Sequence, residues 1–596
     1  MLLGPIFHRE LVITPRRSRI YTARTVYALA LMILTATVWL VLTGSQNVRD
    51  PGDMARFGTL LFSLLAPLQL VLAMFFSAMF AAGNVSQEKD RNTLVLLLLT
   101  RMNNTELVLG KLAGSLLHLC VNLLAGMPVF FMVLIFGGVD VGQVFRCFAV
   151  TLAATILCGS LGTMIAFWRE QTFQAISITV LILVAWLAFW EVVAAGVYGA
   201  SWGGIPTGFW AVSMSPWRAI FVVTQAFPPE FVWNGVRLNA AWTFPCVAAV
   251  LSCVMAGWTV LRVRVWNPSR ELFRARGVNR PSVESEEWRG ELNSEKSTLH
   301  THRPVWDNPV LWRETSTYAY GKKAFFVRLA YTLLFLAAAV SLHRTLGTLG
   351  VALYSADPAV ISLAAVTLLP LALLSLVLIN AQAVTAITGE RDARTLDLLR
   401  VTELSPKEIV FGKLGGIFWN TREMILWPAA LILYFYFREI ASLEIAVYLL
   451  GGFLALVVFA AMLGIHAGMA YAGSRSAIGV SLGTIFFLFI GVAVCLRMML
   501  AMGDSFQAQI QPFLAIMVGG GIAMYLALGA RNPSPAIALA CFGCPFATFY
   551  AITALMMNYT LGIFLVVSIT YGFTTAAMLI PAISEFDIAE RTPQEE

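Results

Sequence analysis

Charged residues are scarce in this chain of 596 residues, at 12%, whereas hydrophobic residues make up 59%. Ordinary soluble domains contain about 25% charged and roughly 45–50% apolar residues. The chain lacks the polar surface that a soluble domain of this size needs, so we expect an all-α polytopic membrane protein. The net charge of +7 gathers between the apolar runs, as the positive-inside bias requires, and gives no reason to expect a nucleic-acid partner.

The sequence also lacks a disulfide framework. All eight cysteines lie within or beside apolar runs, where cysteine usually packs as a small hydrophobe. Cys541 and Cys544 have the spacing of a metal or redox pair, but no second pair accompanies them. We therefore expect them to pack in the interior and expect no metal site.

A phosphate-binding loop is missing as well. Such a loop reads Gly-x-x-x-x-Gly-Lys-Ser/Thr, because its backbone amides surround the phosphates and its hydroxyl reaches magnesium. The Gly-Lys pairs at 110–111 and 412–413 are each followed by leucine, and Thr105 and Lys407 stand where the first glycine is needed. We expect no cofactor bound by this chain and no enzyme activity of its own.

A polar segment is present twice, at Gln87–Gly114 and Gly389–Gly416, and the copies align without a gap at a shift of 302 residues. Both read Glu-x-Asp-x-x-Thr-Leu-x-Leu-Leu and later Gly-Lys-Leu. At a shift of 304 residues, the leader Gly4–Glu10 also matches Asn308–Glu314, and Tyr27 matches Tyr331. This self-similarity predicts two related halves.

Runs of about 20 apolar residues, the length that crosses a bilayer, indicate the membrane spans. The first half has six, near 25–42, 58–82, 112–136, 145–167, 173–197 and 240–261. The second half has five, near 325–342, 360–387, 414–437, 445–471 and 477–494, and then apolar runs at 512–528, 536–555 and 561–581. The runs at 512–528 and 536–555 either add two spans around Arg531 or are re-entrant, so we expect 12 to 14 spans.

Six spans bring the second half back in the same orientation, which predicts two tandem parallel-repeat halves. The first half covers 1–265, a polar cytoplasmic linker covers 266–307, and the second half covers 308–596. Basic residues in the leader and after spans two, four and six place those segments, and both termini, in the cytoplasm.

An outer segment at 198–236 is rich in aromatic residues and glycine and contains Ser215-Pro216. It forms either short re-entrant helices or an ordinary outer loop with an interfacial aromatic belt. We expect its counterpart in the second half at Cys544-Pro545.

The repeated segments predict amphipathic surface helices at 86–103 and 388–404. On the second of these, Glu390, Arg394 and Asp397 would share one face as ion pairs. The pattern is typical of an interfacial corner. Because the same charged residues recur at the same spacing in both halves, it also favours two docking sites for a twofold partner.

Span three begins with a recognisable capping signal in each half. Ser405, Pro406 and Glu408 supply an N-cap, a first-turn proline and a third-position glutamate, which predicts a capping box. Asn103 and Glu106 occupy the corresponding places in the first half.

These motifs resemble the membrane-embedded permease subunits of ATP-binding-cassette (ABC) exporters of the type 2 membrane class. Members carry an acidic and basic run leading into Thr-Leu-x-x-Leu-Leu, then Thr/Ser-Pro, then Gly-Lys-Leu entering span three. The resemblance implies that the surface helices are coupling helices, which sit in clefts of a separate cytoplasmic ABC ATPase, in two copies, that would hold ATP and magnesium. It also implies an exporter in the bacterial cytoplasmic (inner) membrane.

The resemblance assigns residues to two groups. The ATPase-coupling surface would comprise Glu88, Asp90, Thr93, Leu97, Glu390, Asp392, Arg394, Thr395, Leu396 and Leu399. The start of span three would comprise Glu106, Gly110, Lys111, Ser405, Pro406, Glu408, Gly412 and Lys413. The first copy has Asn92 where the second has Arg394, so the two surfaces need not be equal.

Polar residues inside spans are costly in lipid and often mark functional sites. The candidates are His118, Asn420, Arg422, Glu423 and His466. Residues 420–423 fall near the inner end of span three, where they either snorkel to the surface or contact substrate.

Two other functions remain open at this point. An ion-coupled secondary transporter also uses parallel repeats, but it needs acidic residues at mid-membrane, and Glu191 and Glu423 lie near span ends. A non-transporting membrane scaffold or maturation factor would show no nucleotide-dependent cycle. The substrate cannot be read from the sequence, because pocket residues are scattered over many spans.

Overall fold

The computed structural model is built almost entirely from helices. It describes residues 4–13, 51–91, 93–194, 201–233, 236–267, 306–316, 324–348, 358–502, 506–529, 533–557 and 559–586, with isolated residues at 21–39, 196, 199 and 531. Part of the first expected span, most of the linker with its charged residues, and the acidic tail after 586 lie outside the described residues. In the described ranges, eleven helices are long and apolar enough to cross a membrane, which confirms the all-α polytopic prediction.

The first half starts with a short leader helix and continues as long apolar helices, whose backbone groups are satisfied within each helix, as lipid requires. Its elements are α1 Gly4–Ile13, α2 Pro51–Asp90, α3 Thr93–Leu99, α4 Asn104–Phe136, α5 Val141–Trp168, α6 Thr172–Ala194, β1 Ser201–Trp202, β2 Ile205–Pro206, α7 Thr207–Met214, α8 Pro216–Val223, β3 Glu230–Trp233, β4 Val236–Asn239 and α9 Ala240–Trp266.

The second half repeats this order as far as span five and then departs from it. Its elements are α10 Pro309–Ser316, α11 Ala324–Thr348, α12 Pro358–Asp392, α13 Leu396–Arg400, α14 Pro406–Asn420, α15 Arg422–Phe437, α16 Leu443–Ala470, α17 Ser474–Phe486, α18 Val492–Met502, α19 Phe506–Leu528, α20 Pro535–Met556 and α21 Thr560–Phe586. A π-helical turn at Phe487–Gly491 joins α17 to α18.

The outer segment of the first half contains two short antiparallel hairpins and the helices α7 and α8, which meet at Ser215. Ala219, Ile220 and Val223 of α8 are fully buried against the core of the first half. The segment therefore packs into the outer end of the bundle, as expected of the re-entrant alternative. The counterpart expected at Cys544-Pro545 is wrong, because Pro545 lies inside the uninterrupted helix α20.

The structure also separates the two alternatives for residues 512–555. The hydroxyl of Tyr471, just after α16, donates to the Ala527 carbonyl oxygen (2.6 Å), and His466 Nε2 lies 2.9 Å from the Leu528 carbonyl oxygen. The C-terminal ends of α16 and α19 are thus neighbours. With 23 residues, α19 is about 34 Å long, enough to run the full depth of the bundle. This arrangement favours the two-span alternative over the re-entrant one.

The halves meet through span two of one half and span five of the other. Phe75 of α2 packs on Phe486 of α17, with ring centroids 3.8 Å apart, and α12 packs on α6 in the reciprocal contact. The ends of α2 and α12 lie side by side, because Arg91 Nη2 is 2.9 Å from Asp392 Oδ1. Both repeated segments are therefore at the same end of the molecule, which confirms the parallel repeat.

Candidate functional site at the two corners

Each repeated segment folds into a corner. The first corner is the end of α2, all of α3 and the start of α4; the second is the end of α12, all of α13 and the start of α14. The single surface helices expected at 86–103 and 388–404 are wrong, since span two continues to Asp90 or Asp392 and a separate short helix follows. In the second corner the break includes Arg394, whose φ of +58° is left-handed and rare for a residue with a side chain.

This break changes the expected ion pairs. Glu390 belongs to α12 and Arg394 to the turn, so the two do not share a helical face. Arg394 is exposed. The side chain of Asp397, and residue Asn92 of the first copy, lie outside the described residues.

The last three residues of each span-two helix bond to three different helices. The first of these three residues is a glutamate whose side chain reaches span three. Glu88 forms an ion pair with Lys111 of α4. Glu390 forms the same pair with Lys413 of α14, with 2.7 Å between Oε1 and Nζ. The Lys413 side chain is only 2% exposed. A buried lysine is costly without a carboxylate partner, so the Glu and Lys of the repeat require each other.

The second residue of each triplet is basic and satisfies the end of span four. Lys89 Nζ donates to the carbonyl oxygens of Phe167 (2.6 Å) and Arg169 (2.7 Å). Arg391 Nη1 donates to the Gly468 carbonyl oxygen at 2.8 Å. These carbonyls belong to the last turns of α5 and α16 or follow directly, where helix acceptors lack partners and a cation is favoured.

The third residue is an aspartate that accepts a hydroxyl from the first residue of span five. Thr172 Oγ1 donates to Asp90 Oδ2 at 2.5 Å, and Ser474 Oγ donates to Asp392 Oδ2. Asp392 additionally accepts from Arg91 of the other half. Each triplet thus ties the end of span two to spans three, four and five of its own half.

The same charged residues therefore recur in both halves because they hold each corner together. Glu88, Asp90, Glu390 and Asp392 make internal contacts within the corners. The hydroxyls of Thr93 and Thr395 donate to the carbonyl oxygens of Glu88 (3.3 Å) and Glu390 (3.1 Å), which closes the turn after span two.

The leader helix completes the second corner. Glu314 of α10 lies 2.5 Å from Lys413 Nζ, and Arg313 contacts both Glu314 and Glu390. The close approach of α10 to α14 depends on glycine, because a Cβ at Gly416 would lie 2.5 Å from the Glu314 Cβ. In the first corner, Glu10 of α1 lies against Gly114 in the same way. The repeated leader, which ends in Arg-Glu in both halves, was recognisable from the sequence, but its contact with Lys413 was not.

The free surface of each corner includes large apolar side chains. On α3, Leu96 is 64% and Leu99 54% exposed, while Leu94 and Leu98 are buried and Leu97 is half-buried. In the second corner the residues at the same shift behave alike, with Leu398 69% and Val401 83% exposed. Leu396 is buried and Leu399 is half-buried, so these two predicted coupling residues face the protein. Two matching pairs of large apolar side chains therefore protrude at one end of the molecule.

Both starts of span three are capped. The Ser405 N–H donates to Glu408 Oε2 (2.8 Å), and the Glu408 N–H returns to Ser405 Oγ (3.3 Å), so the expected capping box is present. The Ser405 N–H and hydroxyl lower the pKa of the Glu408 carboxyl from its ordinary 4.5, because they stabilise its charged form. In the first corner, the Asn103 N–H donates to Glu106 Oε2 at 3.1 Å.

The polar candidates inside spans have protein partners. Span three of the second half breaks at Thr421, between α14 and α15. Arg328 Nη2 donates to Asn420 Oδ1 (2.9 Å), and Glu423 accepts from Arg422 (3.1 Å) and lies 3.6 Å from Arg328 Nε. The break, which lies midway between Pro406 and Phe437, is thus bridged by a charged network, and the expected position near the inner end of span three is wrong. His118 is half-buried on α4, and His466 is buried beside Leu528 as described above.

The cysteine pair packs in the interior as expected. Cys541 and Cys544 are buried in α20, and Cys544 Sγ lies 3.1 Å from Thr574 Oγ1. Within the described ranges, no cluster of His, Cys, Asp and Glu has the size of a metal site.

The two corners leave a cavity of about 290 Å³ between them. Asp90 and Thr172 of the first half line it on one side, and Glu390, Lys413 and Thr395 line it on the other.

Most of the first half is similar to a known protein family. Residues 3–194 match the family described as ABC-2 type transporter. The matched range starts at the leader helix, includes the first corner and ends at the last residue of α6. No curated protein matches the chain.

Proposed function

Because residues 3–194 match the ABC-2 type transporter family, we propose that the whole chain is the permease subunit of an ATP-driven exporter. The second half repeats the leader, the corner and the first five spans of that segment in the same orientation. The chain would supply both membrane units of the transporter in one polypeptide. Two copies of a separate cytoplasmic ABC ATPase would supply ATP, magnesium and the work, in a bacterial inner membrane with both chain termini in the cytoplasm.

The observation that carries the proposal is the pair of matching apolar knobs, Leu96 with Leu99 and Leu398 with Val401. Exposed apolar side chains of this size at equivalent positions are costly in water unless a partner covers them. A twofold partner would meet both knobs at once, because the corners lie side by side at one end. The knobs therefore replace Glu88, Asp90, Glu390 and Asp392 as the proposed ATPase contacts.

The contacts behind the knobs explain how a push on them would move a half. The short helices α3 and α13 are anchored by Leu94, Leu98 and Leu396, and the triplet next to each knob bonds to spans three, four and five. A displaced corner would therefore carry four spans with it as a rigid body, which is the usual form of a domain transition. The α2–α17 and α12–α6 contacts between halves are where the repacking would take place.

The test is retention of the ATPase by the tagged chain. The wild type, purified from native membranes in mild detergent, should bring a polypeptide with Mg²⁺-dependent ATPase activity, identified by mass spectrometry. Leu96→Ser combined with Leu398→Ser should lower its yield at least tenfold. Matched controls are Leu443→Ser and Phe227→Ser, exposed apolar residues at the opposite end, which should retain it fully.

Two results would contradict the proposal. One is an unchanged yield of ATPase with the double variant, which would place the contact elsewhere. The other is a chain that copurifies with no ATPase and transports with a proton gradient alone, which is the behaviour of a secondary transporter.

A further inference from the structure

The first half contains a second cavity, of about 200 Å³, within the depth of the spans. Its walls come from α2 and α4 and from Tyr27 in the first expected span. Phe76, Phe80, Leu119 and Leu123 make most of the lining apolar, and no charged side chain lines it among the described residues. The α2 lining extends from Gln69 to Phe80, about 16 Å along the helix axis, so the cavity is elongated along the span.

Two polar side chains at one end of this cavity have no hydrogen-bond partner among the described residues. Gln69 is only 1% exposed, and neither its Oε1 nor its Nε2 is bonded. The hydroxyl of Tyr27 is buried and unbonded in the same way. Buried polar groups in native proteins are nearly always hydrogen-bonded, because their desolvation is otherwise uncompensated. The unbonded Gln69 amide and Tyr27 hydroxyl therefore indicate that a group outside the described residues forms hydrogen bonds with them.

The second half satisfies the equivalent tyrosine within the protein. Tyr331, which matches Tyr27, is fully buried, and its hydroxyl lies 2.7 Å from Ser375 Oγ. At the shift of 302 residues, Ser375 corresponds to Ala73 and the apolar Leu371 corresponds to Gln69. The first half thus lacks the hydroxyl that would satisfy its tyrosine and adds an amide that needs both a donor and an acceptor.

We propose that this cavity is a binding site for a neutral amphiphile, an elongated hydrophobic molecule that carries one uncharged amide or hydroxyl group. The apolar walls would take the hydrocarbon part. Gln69 would accept from and donate to the polar group, with Tyr27 beside it. A charged ligand does not fit, because the lining holds no counter-charge at this depth. This site does not depend on the proposed function, since binding requires no ATPase.

Photolabelling of the purified full-length chain in lipid nanodiscs tests the proposal. The probe is a twelve-carbon primary amide with a diazirine near the end of its chain, and the comparison probe is the diazirine-bearing twelve-carbon hydrocarbon. The amide should label peptides that contain 69–80 or 119–123 in a saturable manner, and unlabelled amide should compete. Labelling by the hydrocarbon should be at least fivefold weaker and should not saturate.

Variants that copy the second half provide the decisive comparison. Gln69→Leu should reduce amide labelling at least fivefold. Ala73→Ser, which gives Tyr27 a partner, should also reduce it. Gln382→Leu removes another fully buried glutamine, on α12, and should leave labelling unchanged. Thermal unfolding of each variant shows whether the fold is retained.

The proposal is overturned if the two probes label equally, if labelling does not saturate, or if folded Gln69→Leu labels like the wild type. The last result would mean that water alone satisfies Gln69. Because labelling is read on peptides of this chain, a failed ATPase pull-down does not change the result of this assay.

Discussion

Replacing Lys413 with methionine tests the internal role of the corner charges. In the wild type, two cations, Lys413 and Arg313, face two carboxylates, Glu314 and Glu390. The substitution leaves two carboxylates with one cation in a site where Glu314 is buried. Breaking a buried ion pair costs about 3–5 kcal/mol. Because Arg313 still contacts both carboxylates, we expect the lower end of that range, about 3 kcal/mol.

Thermal unfolding in mild detergent, followed by tryptophan fluorescence, measures this effect. A change of 1 kcal/mol shifts Tm by about 2–4 °C in domains of 150–250 residues and by less in larger ones, so we expect a fall of about 5 °C. Adding Glu390→Gln to Lys413→Met restores the charge balance and should recover at least half of that loss. Lys407→Met, an exposed lysine on the same helix, should leave Tm unchanged.

Two outcomes would refute the reasoning. A Tm for Lys413→Met within about 1 °C of the wild type would show that Lys413 is not needed as a counter-charge. A double variant less stable than Lys413→Met would show that Glu390 contributes through packing and not through charge.

Two further predictions concern hydrogen bonds elsewhere. Ser405→Ala should cost about 1 kcal/mol at pH 7, as loss of an N-cap does. Because the folded pKa of Glu408 is lowered, its bonds to Ser405 stabilise the fold above its ordinary pKa of 4.5 and are lost as the pH falls through the folded pKa. The stability difference between the wild type and Ser405→Ala, measured by unfolding, should therefore be smaller at pH 4 than at pH 7. An equal difference at the two pH values would contradict this. Asn380→Leu should cost about 1–3 kcal/mol, because Asn380 bridges the Ala460 carbonyl and Ser481; a Tm equal to the wild type would exclude that bridge.

The corners show where sequence reasoning succeeded and where it could not. The capping boxes were predictable, because a cap involves residues three positions apart. The exposed face of α3 was not, since it depends on where span two ends and the short helix begins. The family resemblance placed Leu97, Leu396 and Leu399 on the coupling surface, within a single expected surface helix. The break after Asp392 rotates the register and exposes Leu398 and Val401 instead.

By itself, the sequence determined the membrane class, the duplication and the parallel order of the halves, because composition, apolar run length and repeats are properties of the chain alone. The partners of the charges were decided only by tertiary structure. Glu390 meets Lys413 across a helical corner, Glu314 reaches Lys413 from 99 positions away, and Arg91 meets Asp392 across the two halves. Gln69 and Tyr27 face one cavity because two helices pack there. Contacts between distant segments follow from how helices pack, and no local pattern encodes that packing.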